Sequence, residues 1–236
     1  MGEVLSKGVI RASLFTPDEI LICDRNSDKL EKLQQELGVC ISTHFSQIEN
    51  SSIILLSVKP DNVSEVLTPL KTLSFPPNFL LISIVAGVPI SYLSTFFPQS
   101  AIVRVMTNTP CLVQAGMSTL ALNEHVSPEQ KEITERIFSA VGEVLVVSEK
   151  YLDAVTGLSG SGPAFFFLII DAMIEGGVLQ GLPRNIARKL ILQTMYGSAL
   201  LMNQTGFHPG FLRDMVTSPG GTTIGGIQVM EEYKIR

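Results

Sequence analysis

Apolar positions along this chain follow two rhythms. Up to about residue 147 they form short runs closed by turn residues, with helical spacing between the runs. Val4, Leu5, Val9 and Ile10 fall on one side of a helix over Glu3 to Ala12, and Thr16-Pro17-Asp18 reads as a turn. Ile20 to Cys23 is a buried strand. A helix from Asp28 to Leu37 follows, with Leu30, Leu33 and Leu37 spaced for burial and Gly38 placed as its C-cap. Ile53 to Val58 predicts another strand, Asp61 to Leu73 a helix, and Phe79 to Val85 and Ala101 to Val105 two further strands. Strand and helix in alternation imply a parallel α/β sheet.

From about Ser148 the rhythm changes. Tyr151 to Leu158, Ala164 to Gln180, Pro183 to Gln204, Pro209 to Thr217 and Thr222 to Tyr233 read as helices separated by Gly and Pro, and no strand pattern follows Val147. Two domains are expected, over 1–148 and 149–236. The run Ala164-Phe165-Phe166-Phe167-Leu168-Ile169-Ile170 offers almost no polar face. A helix apolar all round must be buried, and a second copy of the chain is the expected cover.

Composition narrows the function classes. Charged residues make up 17% of the 236 positions and the net charge is −5, with no basic cluster, so nucleic acid is not an expected partner. Cys23, Cys40 and Cys111 lie far apart and the histidines are scattered, which gives no metal-ligand spacing. A reducing, cytoplasmic setting is the simplest expectation. No basic-then-apolar leader opens the sequence, and runs such as Phe165 to Ile170 are too short to span a bilayer, so no membrane association is expected.

In an open parallel sheet, ligands lie beyond the carboxyl ends of the strands. Here those ends carry Asp24-Arg25-Asn26, Ser57-Val58-Lys59-Pro60, Val85-Ala86-Gly87 and Met106-Thr107-Asn108. A separate stretch, Val216-Thr217-Ser218-Pro219-Gly220-Gly221-Thr222-Thr223, has the make-up of a loop for a small anion. Its glycines let backbone N–H groups converge, and a helix starting at Thr222 or Thr223 would add its positive end. By residue type alone it equally describes an ordinary loop with an N-cap.

The stretch from Arg213 to Glu231 resembles the signature of the pyrroline-5-carboxylate reductase family, with agreement in identity and spacing along its length rather than at two or three glycines. Leu158-Ser159-Gly160-Ser161-Gly162-Pro163-Ala164, Ser57-Val58-Lys59-Pro60 and Met106-Thr107-Asn108-Thr109-Pro110 extend the resemblance in the family's order. It implies a Rossmann-like parallel sheet over 1–148, followed by an all-helical dimerisation and substrate domain over 149–236. It implies reduction of the cyclic imine 1-pyrroline-5-carboxylate to L-proline with NAD(P)H, the last step of proline biosynthesis. Homodimers, often assembled into larger rings, are implied as well.

The resemblance also places site residues. Ser57, Val58, Lys59, Pro60, Ala86, Gly87, Met106 and Asn108 would line the nicotinamide and ribose. Arg25 and Asn26 would meet the adenosine end. Asp24 favours NAD there and Arg25 favours NADP; the run Arg25-Asn26-Ser27, rich in donors, tips the expectation slightly to NADP. The substrate carboxylate would sit on the backbone of Ser218, Gly220, Gly221 and Thr222, with the Thr223 hydroxyl near the ring nitrogen as the catalytic contact. Ser159, Gly160, Ser161 and Gly162 would form the opposite wall. No His, Cys or paired carboxylate converges in these motifs, which suits a protonated iminium: it is already the electrophile, and hydride transfer chiefly needs positioning and exclusion of water.

The family opens with a strand and Gly-x-Gly-x-Met, whereas Met1 to Gly8 here resembles the residues just after that point. Relatives also continue past Arg236. The expected sheet therefore lacks its first strand. In the order 3-2-1-4-5-6, Ile20 to Cys23 and Ile53 to Ser57 would flank that strand and share no ladder, roughly 10 Å apart. The chain as written is expected to bind NAD(P)H poorly, to be marginally stable and to have little reductase activity. The alternatives are a dimerising protein without catalysis or cofactor binding, and a related imine reductase.

Overall fold

The computed structural model describes residues 1–235. They form two compact units, Met1–Phe165 and the described residues from Phe166 onward.

The first unit opens with helix α1 (Gly2–Arg11), strand β1 (Leu21–Cys23), helix α2 (Ser27–Leu37) and strand β2 (Cys40–Ser42). Asn26 caps α2 by accepting from the Lys29 N–H, and Gly38 closes it in the left-handed conformation at φ 73°. Strand β3 (Ile53–Leu56), helix α3 (Val63–Leu70), strand β4 (Leu80–Ser83), helix α4 (Ile90–Ser94) and strand β5 (Ala101–Met106) follow. The unit continues through strand β6 (Gly116–Leu122), helix α5 (Pro128–Ser139) and strand β7 (Gly142–Val146).

The strands make two sheets, β1-β2 and β3-β4-β5-β6-β7. β1 and β3 share no ladder, as the sequence predicts. All pairings are parallel except β5 with β6. Strands β3, β4 and β5, which the sequence predicts, pair in parallel as expected; the antiparallel step comes with β6, which the sequence pattern does not predict, and its cause is the short link from β5 into β6, too short for the helical crossover that parallel neighbours need.

Alternation along β4 and β5 builds two cores. Leu81 and Ile102 face one side with Val63, Leu67, Leu93 and Leu152. Leu80, Ile82, Val103 and Val105 face the other with Leu5, Val9, Phe138 and Val141. A sheet covered on both faces explains why its strands read as nearly continuous apolar runs.

After β7 all described regular structure is helical. The predicted helix Tyr151 to Leu158 is replaced by a 3-10 turn at Glu149–Tyr151, the single turn α6 (Leu152–Val155) and a π-helical segment at Thr156–Gly160. Glycines at 157 and 160 make a regular α-helix costly there. Helix α7 (Gly162–Leu179) carries the chain into the second unit. There it is joined by α8 (Arg184–Thr205), α9 (Pro209–Met215) and α10 (Thr222–Glu232). This unit has a small core of Ile174, Ala187 and Ile191, while Phe166, Phe167 and Leu168 are exposed.

Candidate functional site

Strands β3, β4 and β5 run side by side and in register, so Leu56, Ser83 and Arg104 form one row across the sheet. The loops just beyond that row carry Ser57, Val58, Lys59 and Pro60, then Ala86 and Gly87, then Asn108 after Met106. The eight expected nicotinamide-side residues thus share one sheet edge, the end where a parallel sheet receives ligands. Ser57, Lys59, Ala86 and Gly87 are exposed; Met106 and Asn108 are half-buried. A Cβ built on Gly87, whose φ is 75°, would meet no atom within 4 Å, so the loop leaves open space above its backbone.

Helix α1 points its first turn at this edge. The Gly2 N–H donates to Ser57 Oγ at 3.0 Å, and a Cβ on Gly2 would come within 3.1 Å of the same oxygen. The N–H groups at a helix start are a natural anion seat. Sequence reasoning did not single out Gly2, although its helix was legible.

At the end of β1, Asp24 is committed to its own turn. Its Oδ1 accepts from the Asn26 N–H at 3.1 Å and its Oδ2 pairs with Lys29. Partial burial pushes the Asp24 carboxyl up, but the Lys29 ammonium and the Asn26 and Arg25 N–H groups outweigh it and hold the group below the usual carboxylate range. Arg25 and Asn26 are exposed beside it.

The structure joins two sets of residues assigned separate roles from sequence. Asn108 Nδ2 donates to the Ser159 carbonyl at 3.2 Å and lies 3.3 Å from Ser159 Oγ, while Asn108 Oδ1 accepts from the Met117 N–H at 2.9 Å. Gly160 lies directly over Met106: a Cβ there would come within 2.4 Å of Met106 Cε. So Met106 and Asn108, expected at the cofactor, also support the Ser159–Gly160 turn expected at the substrate. That turn belongs to the π-helical segment, a geometry frequent at functional sites. Gly162 is buried at the start of α7 and Ser161 is exposed.

The loop before α10 lies in the second unit. Ser218 to Gly221 is a turn closed by the Gly221 N–H on the Ser218 carbonyl at 3.1 Å. Pro219 occupies its second position and Gly220, at φ 65°, its third, as a type II turn requires. Gly221 caps α10 with no side-chain hydrogen bond, and the first intrahelical bond comes from the Gly225 N–H. The N–H groups of Thr222, Thr223 and Ile224 precede that bond and open the helix. Ser218, Gly220 and Thr222 are exposed, Gly221 and Thr223 half-buried. The arrangement suits a carboxylate on the backbone with a hydroxyl beside it. Among the described residues no group of three or more His, Cys, Asp or Glu side chains is arranged to hold a metal.

Two family models match the chain. One, described as pyrroline-5-carboxylate reductase dimerisation, matches residues 149–236, and the other, NADP oxidoreductase coenzyme F420-dependent, matches residues 1–87. A pyrroline-5-carboxylate reductase of Synechocystis is 44% identical over 237 residues, covering 100% of this chain and 88% of that protein. The solved structure of a pyrroline-5-carboxylate reductase from Coxiella burnetii superposes with a TM-score of 0.92 at 36% identity, covering 100% of this chain and 88% of the other. The Plasmodium falciparum pyrroline carboxylate reductase, solved with NADP bound, gives a TM-score of 0.87 at 30% identity, covering 99% of this chain and 86% of the other.

Proposed function

The chain belongs to the pyrroline-5-carboxylate reductase family, and on that premise we propose that it reduces 1-pyrroline-5-carboxylate to L-proline with a nicotinamide cofactor, the last step of proline biosynthesis. The observation that carries the reading is similarity along the whole chain joined to the open-ended Ser218–Thr223 turn. We place the functional division at 148/149, where the dimerisation match begins.

The residues fit a dinucleotide: the start of α1 abuts Ser57 through the Gly2 N–H, open space lies over Gly87, and the loops after β3, β4 and β5 share one edge. Ser57, Val58, Lys59, Pro60, Ala86, Gly87, Met106 and Asn108 would hold its nicotinamide half. When bound, the cofactor supplies the hydride. The N–H groups at the start of α10 hold the substrate carboxylate, and the Thr223 hydroxyl orients the ring nitrogen. The Ser159–Gly162 turn is assigned to the substrate as well, where it helps exclude water. No side-chain acid is needed, because a protonated iminium accepts hydride as it stands.

NADP is favoured over NAD. Asp24 is taken up by Lys29 and the Asn26 N–H and is poorly placed to serve a ribose diol, whereas Arg25 is exposed beside it. The binding of NADP by the Plasmodium relative supports the same choice. Free thiols at Cys23, Cys40 and Cys111 support a reducing, cytoplasmic setting. The helical run Glu149–Leu179 is long and apolar enough to cross a membrane by length and composition. Its place within the dimerisation match favours a second copy of the chain as its cover.

The test is oxidation of NADPH by 1-pyrroline-5-carboxylate, catalysed by the chain as written and by the chain with a strand and Gly-x-Gly-x added before Met1, with other cyclic imines as competitors, alongside a fluorescence titration with NADPH. Turnover selective for this imine supports the reading. Neither cofactor binding nor turnover would point to a dimerising protein without catalysis. Preference for another imine would point to a related reductase.

A further inference from the structure

Arg104 is a charged residue in the middle of a buried sheet. Its side chain is 10% exposed, and along β5 it lies on the same face as Ile102 and Met106, between strands β4 and β6. Burying a guanidinium there is costly unless it is paired. The pairing is found: Nη1 donates to Glu149 Oε1 at 3.0 Å, and Nη2 lies 3.5 Å from Asp153 Oδ1. Glu149 Oε1 accepts a second bond, from the Ile90 N–H at 2.8 Å. Ile90 is the first residue of α4, immediately after the loop that carries Ala86 and Gly87.

One carboxylate oxygen therefore ties three parts of the chain: the central strand, the end of the Ala86–Gly87 loop, and the start of the segment leading to Ser159–Gly162. That segment is anchored twice on the same strand and its continuation. Arg104 holds its beginning through Glu149, with the exposed Asp153 carboxylate nearby; Met106 and Asn108 hold its end at Gly160 and Ser159.

We infer that Arg104 and Glu149 are positioning residues, which set the Ala86–Gly87 loop and the Ser159–Gly162 turn at fixed heights over one strand and so fix how the nicotinamide meets the imine. Neither residue touches the reacting atoms. A displacement of about 1 Å at a reacting pair costs on the order of a hundredfold in rate, so a clamp of this kind is worth its buried charge. The inference rests on the reductase reading for its catalytic consequence, but not for the clamp itself.

The test uses the full chain with three substitutions. Glu149→Gln keeps an oxygen for both donors; Glu149→Ala removes it; Arg104→Met keeps the stem and removes the charge. Expected for Glu149→Ala and Arg104→Met is a fall in kcat/KM of roughly 10- to 100-fold, with KM for NADPH raised. Glu149→Gln should restore most of that loss. Amide hydrogen exchange at Ile90 should quicken in Glu149→Ala and stay slow in Glu149→Gln. Wild-type kcat/KM in Glu149→Ala, or a Gln variant as impaired as the Ala variant, overturns the positioning role. Unchanged Ile90 exchange in Glu149→Ala overturns the clamp even if the wild-type chain proves not to reduce the imine, an outcome that would count against the reductase reading alone. Should Glu149→Ala or Arg104→Met fail to fold, the milder Glu149→Gln decides: it must then retain cofactor affinity within about threefold of wild type, and a larger loss overturns the inference.

Discussion

At the scale of single residues, the proposed chemistry depends on few side chains and many backbone groups. Thr223 is the exception, a half-buried hydroxyl at the second position of α10. Replacing it with alanine removes one hydrogen bond to a charged substrate, worth about 1.5–3 kcal/mol, so kcat/KM should fall roughly 10- to 100-fold with Tm unchanged. Unaltered kinetics would remove Thr223 from the site. Gly220, at φ 65°, tests the backbone part: alanine there costs about 1 kcal/mol of strain and tilts the turn, so KM for the imine should rise more than kcat falls. At the other end of the molecule's chemistry, Arg25→Ala should weaken NADPH more than NADH, because only NADPH offers a 2′-phosphate to a guanidinium. Titration of both cofactors against the variant decides it, and equal losses would make Arg25 an ordinary surface residue. Candidate site residues such as Ser57, Asn108 and Ser218 could be proposed from sequence because each sits in a short local string. Arg104 and Glu149 could not, because their pairing spans 45 positions and leaves no local pattern.

At the scale of elements, strands of four or more apolar residues were read from sequence nearly to their ends, as with Ile53–Leu56 and Leu80–Ser83. Strand β2, Cys40–Ser42, went unread because its three residues mix apolar with polar positions, unlike the equally short but wholly apolar β1. Strands β6 and β7 went unread as well, since both mix polar with apolar positions, as in Ser118-Thr119 and Glu143. Their junction is nonetheless tightly specified. Gly142 has a φ of 149°, and a Cβ on it would lie 2.0 Å from the Gly116 carbonyl oxygen, which is backbone of the paired strand. Gly142→Ala should therefore open the β6–β7 ladder and lower stability by about 3 kcal/mol or more, seen as a lower denaturation midpoint in urea. The β1–α2 turn gives a pH prediction. Asp24 has a depressed pKa in the folded chain, so its stabilising contribution is fully present above the unfolded value near 3.9 and is lost as pH falls through the folded value. Asp24→Asn should be less stable than wild type at pH 7, with the gap closing as pH falls below the unfolded value and through the folded one. A gap that stays constant in urea melts across that range would show that Asp24 acts through something other than its charge.

At the scale of the whole molecule, the exposed apolar face of the second unit asks for a cover. Phe166 is 57% exposed, Phe167 62% and Leu168 72%, on a helix whose charged residues are limited to Asp171 and Glu175. Burying one such side chain gains about 1.5–3 kcal/mol, and several together reach what stable association requires. The aromatic run made this face visible in the sequence, and the dimerisation match falls on the same residues. Phe167→Asp carries the test. A carboxylate placed in a dry interface must be desolvated at a cost of several kcal/mol, whereas on a water-facing helix it costs little. Light scattering should show wild type as a dimer or larger at micromolar concentration and Phe167→Asp as a monomer. Because each copy loses its cover, Tm should fall too, and the wild-type Tm should depend on protein concentration while the variant's does not. Sedimentation with phospholipid vesicles separates the remaining possibility: the wild-type chain should stay in the supernatant. A well-behaved wild-type monomer would overturn self-association, and pelleting with vesicles would assign the Glu149–Leu179 run to a lipid surface instead.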